Sequence, residues 1–263
     1  MTKQQFDDRV YFCSDLLMQT KGISHCFTTK CGGVSTGVVN GLNLGFRVGD
    51  DRNSVVENYG LVAKDMKFDY QRITAGRQTH SANIKVITEA DAGKGVSCES
   101  EFMDIDGLVT NVPNLPLVVY YADCVPILLA DDVAGVVAAV HSGWRGTVAK
   151  IAAEAVSVMV TQFGADEKRI RASIGPSIGP CCFETGEEVA CEFDNALVLP
   201  MENGKFKVDL WSANKEILLN SGLKNENIDV LELCTICNSE ILYSYRVHKD
   251  ATGRMGAFIS LRP

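Results

Sequence analysis

The sequence has no block of lysine or arginine, and its formal net charge is −8. Nucleic acid and anionic membrane repel an acidic chain, so non-specific binding to either is not expected. Local basic spots can still hold a small anion. Also missing is any unbroken apolar stretch of roughly 18 residues, the length a membrane-crossing helix needs. The longest candidate, Leu115 to Ala130, is interrupted by Pro116, Asp123 and Pro126. The opening MTKQQFDDRVYF is polar and acidic and shows no signal peptide, so the expected location is cytoplasmic. No repeat, low-complexity segment or linker divides the chain, and Gly and Pro are scattered as short punctuation. One domain over 1–263 is therefore expected.

What is present is ordinary for a globular protein: 46% hydrophobic and 22% charged residues. A core of this size needs no disulfide staples. The ten cysteines are therefore expected to be mostly reduced and buried as small apolar side chains.

The apolar pattern predicts strands over Ile23–Thr29, Ile84–Glu89, Val118–Tyr121, Val125–Ala130, Val136–His141, Arg169–Ile174 and Ile228–Leu233. Helices are predicted over Asn53–Lys67, Thr147–Phe163 and Asp209–Asn220. The second is the clearest, with Val148, Ile151, Ala152, Ala155 and Met159 on one face and Gly164 as its C-cap. The tail around Gly253–Ile259 is expected to close a sheet. Strands occur both as hairpins and beside helices, so the fold class is α+β, with mixed β-sheets flanked by helices.

One hairpin bears on function. If Ala130 pairs with Val136 across the turn, Cys124 and His141 lie at the same open end, because antiparallel partner numbers sum to a constant. A thiol and an imidazole there suit a metal site or a nucleophile–base pair. They equally suit a buried cysteine beside a hydrogen-bonded histidine. His141 runs into Ser142-Gly143-Trp144-Arg145-Gly146 and a helix. A Gly-bracketed turn at a helix start with an adjacent Arg145 is a candidate anion site, or simply a tight turn with an exposed arginine.

The segments Ala122-Asp123-Cys124-Val125-Pro126 and Ala139-Val140-His141-Ser142-Gly143-Trp144-Arg145-Gly146-Thr147 carry a resemblance. With them go Gly41-Leu42-Asn43-Leu44-Gly45, Gln78-Thr79-His80-Ser81, Asp106-Gly107-Leu108-Val109-Thr110, Ile174–Pro180, Cys234-Thr235, Tyr243–Arg246 and Thr252–Met255. Taken in their order along the chain, they resemble the laccase-domain family, also called the multicopper polyphenol oxidoreductase or peptidoglycan editing factor family. The resemblance implies a fold related to a toxin deamidase, a putative cysteine hydrolase fold. It implies zinc held by His80, Cys124 and His141. It also implies a purine nucleoside phosphorylase acting on adenosine, inosine and methylthioadenosine, with adenosine deaminase activity. The partners are then a nucleoside and phosphate, with the chain a monomer or homodimer.

Three protein ligands leave a fourth tetrahedral position open, as in catalytic zinc sites. Arg145 is the candidate for holding phosphate, with Cys124 and His141 as further catalytic candidates. Asn43 and Arg246 are candidates for substrate binding, and Arg254 for added positive charge. Asp106 and Asp123 are candidates for orienting the ligands from behind, or for capping turns. Two departures from the family pattern stand out. Ser142 replaces a small residue that is often Ala, and the usual Tyr-Arg-Arg-Asp reads Tyr245-Arg246-Val247-His248.

Other readings compete. Cys124 with His141 suits a cysteine hydrolase acting on an amide or a mis-incorporated peptidoglycan precursor. Copper-dependent phenol oxidation is a weaker reading. A multicopper oxidase needs a blue-copper centre and a trinuclear cluster, and four histidines cannot supply them; only adventitious copper at the same three ligands remains. A non-enzymatic partner role finds no interaction face in the sequence. Cys234-Thr235-Ile236-Cys237 alone reads as half a zinc ribbon or a redox pair. No second CxxC accompanies it, although Cys181-Cys182 is present, and the resemblance supplies no metal role for Cys234. His25 and His248 read as structural or solvated.

Overall fold

The computed structural model describes residues 1–262. Among these, two six-stranded sheets and one three-stranded sheet form. In spatial order, the first sheet runs Thr2–Phe6, Arg9–Cys13, Ile23–Thr28, Met255–Leu261, Leu117–Tyr121, Thr74–Ala75. The second runs Ile228–Val230, Arg171–Ile174, Val125–Asp131, Val136–Ser142, Gly107–Thr110, Ile84–Val86. Both six-stranded sheets mix antiparallel pairs with parallel ones at the edges, one edge in the first and both in the second, and the three-stranded sheet is antiparallel throughout. The α+β class with mixed sheets and flanking helices is what the alternating patterns imply.

Period-2 geometry explains the layering. Leu128, Ala130, Val137 and Ala139 of the second sheet pack with Leu117, Val119, Ala257 and Ile259 of the first, forming the core between them. Their neighbours Ile127, Leu129, Ala138 and Val140 point the other way. They meet Ala152, Ala155 and Met159 of helix Ile151–Phe163 and Leu218 of helix Leu210–Asn220. On the far side, Tyr11, Cys26, Val118 and Phe258 receive Val55, Tyr59 and Val62 of helix Arg52–Met66. The layers are helix, sheet, sheet, helix. With both faces covered, the central strands are apolar throughout, as a sheet buried on both sides requires.

Some local expectations shift. The hairpin register is Ala130↔Val137 and Asp131↔Val136, one residue from the predicted pairing. The helix expected over 147–163 is two pieces, Trp144–Val148 and Ile151–Phe163, because Lys150 takes a left-handed φ of 57°. A strand pair at the start, Thr2–Phe6 with Arg9–Cys13, and a three-stranded sheet around Phe206–Val208 lie outside the predicted elements. The cysteines correct the burial expectation: Cys13, Cys26 and Cys234 are buried, whereas Cys98, Cys181, Cys191 and Cys237 are exposed. All ten are free thiols.

Candidate active site

The site starts from the end of the central hairpin. His141 sits opposite Pro126, and Cys124 immediately precedes the strand that begins at Val125. The two side chains therefore emerge at the same sheet end. His80 comes from the loop between Thr74–Ala75 and Ile84–Val86, with φ of 67°. Gln78 pins that loop: its amide donates to Tyr120 O at 2.7 Å and its carbonyl accepts from Tyr120 N–H at 2.7 Å. The side chain thus takes the place of a neighbouring strand.

Asp106 gathers the pieces. Its Oδ1 lies 2.8 Å from His141 Nδ1 and accepts the His80 N–H at 3.0 Å. Its Oδ2 accepts the N–H groups of Thr79 and Ser81 and the Ser81 hydroxyl. One fully buried carboxylate thus fixes the imidazole ring and the backbone that presents His80. Burial pushes the Asp106 carboxyl up, but these donors, His141 first, hold it well below the usual carboxylate range.

The ligand atoms of His80, Cys124 and His141 all lie within 4.8 Å of one another, a set able to hold a metal ion. The two imidazole rings stand edge to face with centroids 5.0 Å apart. Gly143 is part of the cradle: a Cβ there would meet His80 Cδ2 at 2.9 Å and Cys124 Sγ at 3.2 Å. Without metal, the thiol and imidazole share a proton unevenly. Burial raises the Cys124 thiol, but the charge and hydrogen bonds of His141 and His80 outweigh it and bring it down to about 6. Burial lowers His141, yet the Cys124 charge and the Asp106 hydrogen bond lift it to about 9. The pair is a thiolate facing an imidazolium.

These residues line a cavity of about 970 Å³, at the upper end of the range for small-molecule sites. Trp144, Ile178 and Phe183 form apolar wall, and Arg47, Arg52, Arg77, Arg246 and Arg254 bring positive charge. Sequence reasoning missed Arg47, Arg52 and Arg77. The signal for them is position only: Arg47 follows the Gly41–Gly45 segment closely, and Arg52 opens a helix.

Several candidates fall elsewhere than expected. Arg145 is exposed and stacks on the Trp144 ring at 4.2 Å, outside the cavity wall. The arginine after a short turn reaches solvent because Trp144, not Arg145, turns inward. Asn43 is fully buried, and its amide is spent on Gly45 O, Asp50 Oδ2, the Gly45 N–H and the Arg254 N–H. It has no free group for sugar or base; it anchors Arg254. Asp123 touches none of the three ligand side chains through its carboxylate. Instead it accepts the Thr235 hydroxyl and the Arg246 N–H, both at 2.6 Å. Arg246 does line the cavity, with Nη1 donating to Glu184 O. Ser142 sits in a buried polar knot, donating to Asn214 Oδ1 at 2.8 Å beside the Thr147 hydroxyl, which accounts for a hydroxyl at that position. His25 is buried and accepts the Ser14 N–H, and His248 faces Ser244 O, so neither approaches the site.

Known proteins resemble this chain over most of its length. Residues 24–262 match the family described as multi-copper polyphenol oxidoreductase laccase. The chain is 37% identical over 243 residues to purine nucleoside phosphorylase YlmD of Geobacillus stearothermophilus, covering 89% of each chain. It is 35% identical over 240 residues to adenosine deaminase RL5 from an unknown prokaryotic organism, covering 88% of this chain and 91% of that one. The crystal structure of hypothetical protein YfiH from Bacillus licheniformis superposes with a TM-score of 0.91 at 31% identity, covering 99% of both chains. The chain belongs to the multi-copper polyphenol oxidoreductase laccase family.

Proposed function

We propose that this protein is a zinc-dependent purine nucleoside phosphorylase acting on adenosine, inosine and methylthioadenosine, with adenosine deamination as a second reaction. The observation that carries it is the convergence of His80, Cys124 and His141 within 4.8 Å on the wall of an arginine-lined cavity. Relatives named purine nucleoside phosphorylase and adenosine deaminase support the substrate class.

The donor set fits a single borderline-soft cation: two imidazoles and one thiolate whose protonation already favours the anion. When bound, zinc supplies Lewis acidity at a fourth, open position. Asp106 holds His141 with Nδ1 toward its carboxylate, which leaves Nε2 for the ion. Half-buried Arg254, and Arg246 beside it, hold the phosphate in place of the exposed Arg145. Trp144, Ile178 and Phe183 exclude water from the purine. As a phosphate oxygen bonds to ribose C1′, the bond to the base nitrogen breaks and the departing base takes up a proton. Zinc-loaded protein that released no free base from adenosine or inosine in phosphate would overturn this reading.

One observation favours a second reading, a cysteine hydrolase acting on an amide. Cys124, His141 and Asp106 have the order of nucleophile, base and orienting carboxylate. Iodoacetamide labelling separates the two. Protection of Cys124 only with zinc supports the phosphorylase, whereas activity that survives chelation supports the hydrolase.

A further inference from the structure

A second group of soft ligands lies apart from the three active-site side chains. Cys181, Cys182, Cys234 and Cys237 bring their sulfurs to within 4.8 Å of one another. The Cys182 and Cys237 sulfurs stand 3.5 Å apart, and those of Cys181 and Cys237 3.6 Å apart. Four sulfurs around one zinc at 2.3 Å stand about 3.8 Å apart at tetrahedral angles, so the cluster is already close to that size. A disulfide joins two sulfurs at about 2.05 Å; it does not account for four converging. A polynuclear iron–sulfur cluster would spread its thiolates wider than a single ion does.

The topology explains the convergence. Strands Arg171–Ile174 and Ile228–Val230 pair in parallel, so the loops that leave them emerge at one sheet end. The loops are zipped together: Ser177 N–H donates to Leu233 O at 3.1 Å, and Thr235 N–H donates to Ser177 O at 3.0 Å. Cys181-Cys182 then comes from one loop and Cys234-x-x-Cys237 from the other. The Cys234 sulfur accepts the Gly179 N–H at 3.3 Å. Backbone donors aimed at a sulfur stabilise thiolate, the form that binds metal.

We propose that Cys181, Cys182, Cys234 and Cys237 form a structural tetrathiolate site for one zinc ion, which staples two loops behind the active-site cavity. Four protein sulfurs complete the tetrahedron and leave no open position, so the site is structural and not catalytic. The staple reaches the cavity wall through short links. Thr235, between the two cysteines of the CxxC, gives its hydroxyl to Asp123, next to Cys124. Ile178 N–H donates to Asp123 O at 2.8 Å, and Ile178 and Phe183 line the cavity. The site does not depend on which reaction runs at Cys124.

The test is zinc content per chain of reduced, zinc-supplemented, dialysed protein, measured by mass spectrometry of the metal. Wild type should hold two equivalents, the double variant C181S/C182S one, and H141A one. Cys181 is exposed and Cys182 half-buried, so that double variant is expected to fold. Cobalt loading of H141A gives an independent readout: the visible absorption of tetrahedral cobalt thiolate should appear and should be lost in H141A/C181S/C182S. An unchanged zinc count in C181S/C182S would overturn the proposal. So would iron in place of zinc, or a non-reduced mass showing a disulfide among these cysteines in freshly purified protein.

Discussion

Asp106 Oδ1 lies 2.8 Å from His141 Nδ1 while the same carboxylate accepts three successive backbone N–H groups, those of Thr79, His80 and Ser81. One side chain therefore sets the ring of one ligand and the backbone of another. Asp106→Asn keeps the shape but loses the charge and one acceptor oxygen. Such outer partners govern metal affinity by roughly 10–100-fold, and the loss here is expected within that range. Competition with a zinc-binding dye measures it.

Gly143 leaves room for both His80 and Cys124. In Gly143→Ala the new Cβ would sit 2.9 Å from His80 Cδ2, so the exposed imidazole must move. A displacement near 1 Å at a reacting centre costs roughly 100-fold in rate. The expected outcome is a fall in kcat of about that size with a smaller change in melting temperature, since His80 is at the surface. Steady-state kinetics beside a thermal melt separates the two effects.

The two arginine assignments make opposite forecasts. Arg254 is half-buried on the cavity wall, and Arg145 is exposed on Trp144. A hydrogen bond to a charged group contributes about 1.5–3 kcal/mol, and each 1.4 kcal/mol is tenfold. Arg254→Ala should raise KM for phosphate about 10- to 100-fold, whereas Arg145→Ala should leave it within about threefold. Phosphate titrations of the two variants decide between them.

The pH behaviour of metal-free protein follows from the thiolate–imidazolium pair. Cys124 is depressed from 9.0 to about 6, so its contribution to stability is complete above 9.0 and disappears as pH falls through about 6. His141 is raised from 6.5 to about 9, so its contribution is complete below 6.5 and is lost as pH rises through about 9. Alkylation of Cys124 in chelator-treated protein should therefore show a midpoint near 6. In His141→Ala the midpoint should move up towards the ordinary thiol value, read from the iodoacetamide rate against pH.

Ser142→Ala tests the buried knot beside the site. It removes the donor to Asn214 Oδ1, and a buried acceptor left without its partner costs about 1–3 kcal/mol. Chemical denaturation should show that loss, with metal content unchanged.

Much of the fold and of the site is legible in the sequence. The hairpin at 125–142 is readable because its apolar runs flank a short turn. A one-residue register error still leaves Cys124 and His141 at the same end. Asp106 is visible only as a motif position, since its role depends on loop 79–81 folding back across the sheet. The break at Lys150 is hidden because Val148, Ile151, Ala152 and Ala155 keep helical spacing across it. Arg145 misleads for a related reason: spacing cannot show which of two adjacent residues, Trp144 or Arg145, faces the cavity. The four-cysteine cluster is equally out of reach. Residues 181–182 and 234–237 meet only because two distant strands pair in parallel, and no local pattern encodes that pairing.

The most direct check is release of free base from inosine in the presence of phosphate, followed on zinc-loaded protein and on the same protein stripped by chelator. The assignment of His80, Cys124 and His141 as a shared zinc site predicts phosphate-dependent release that chelation abolishes and zinc restores. Release that is absent in both samples, or equal in both, contradicts it.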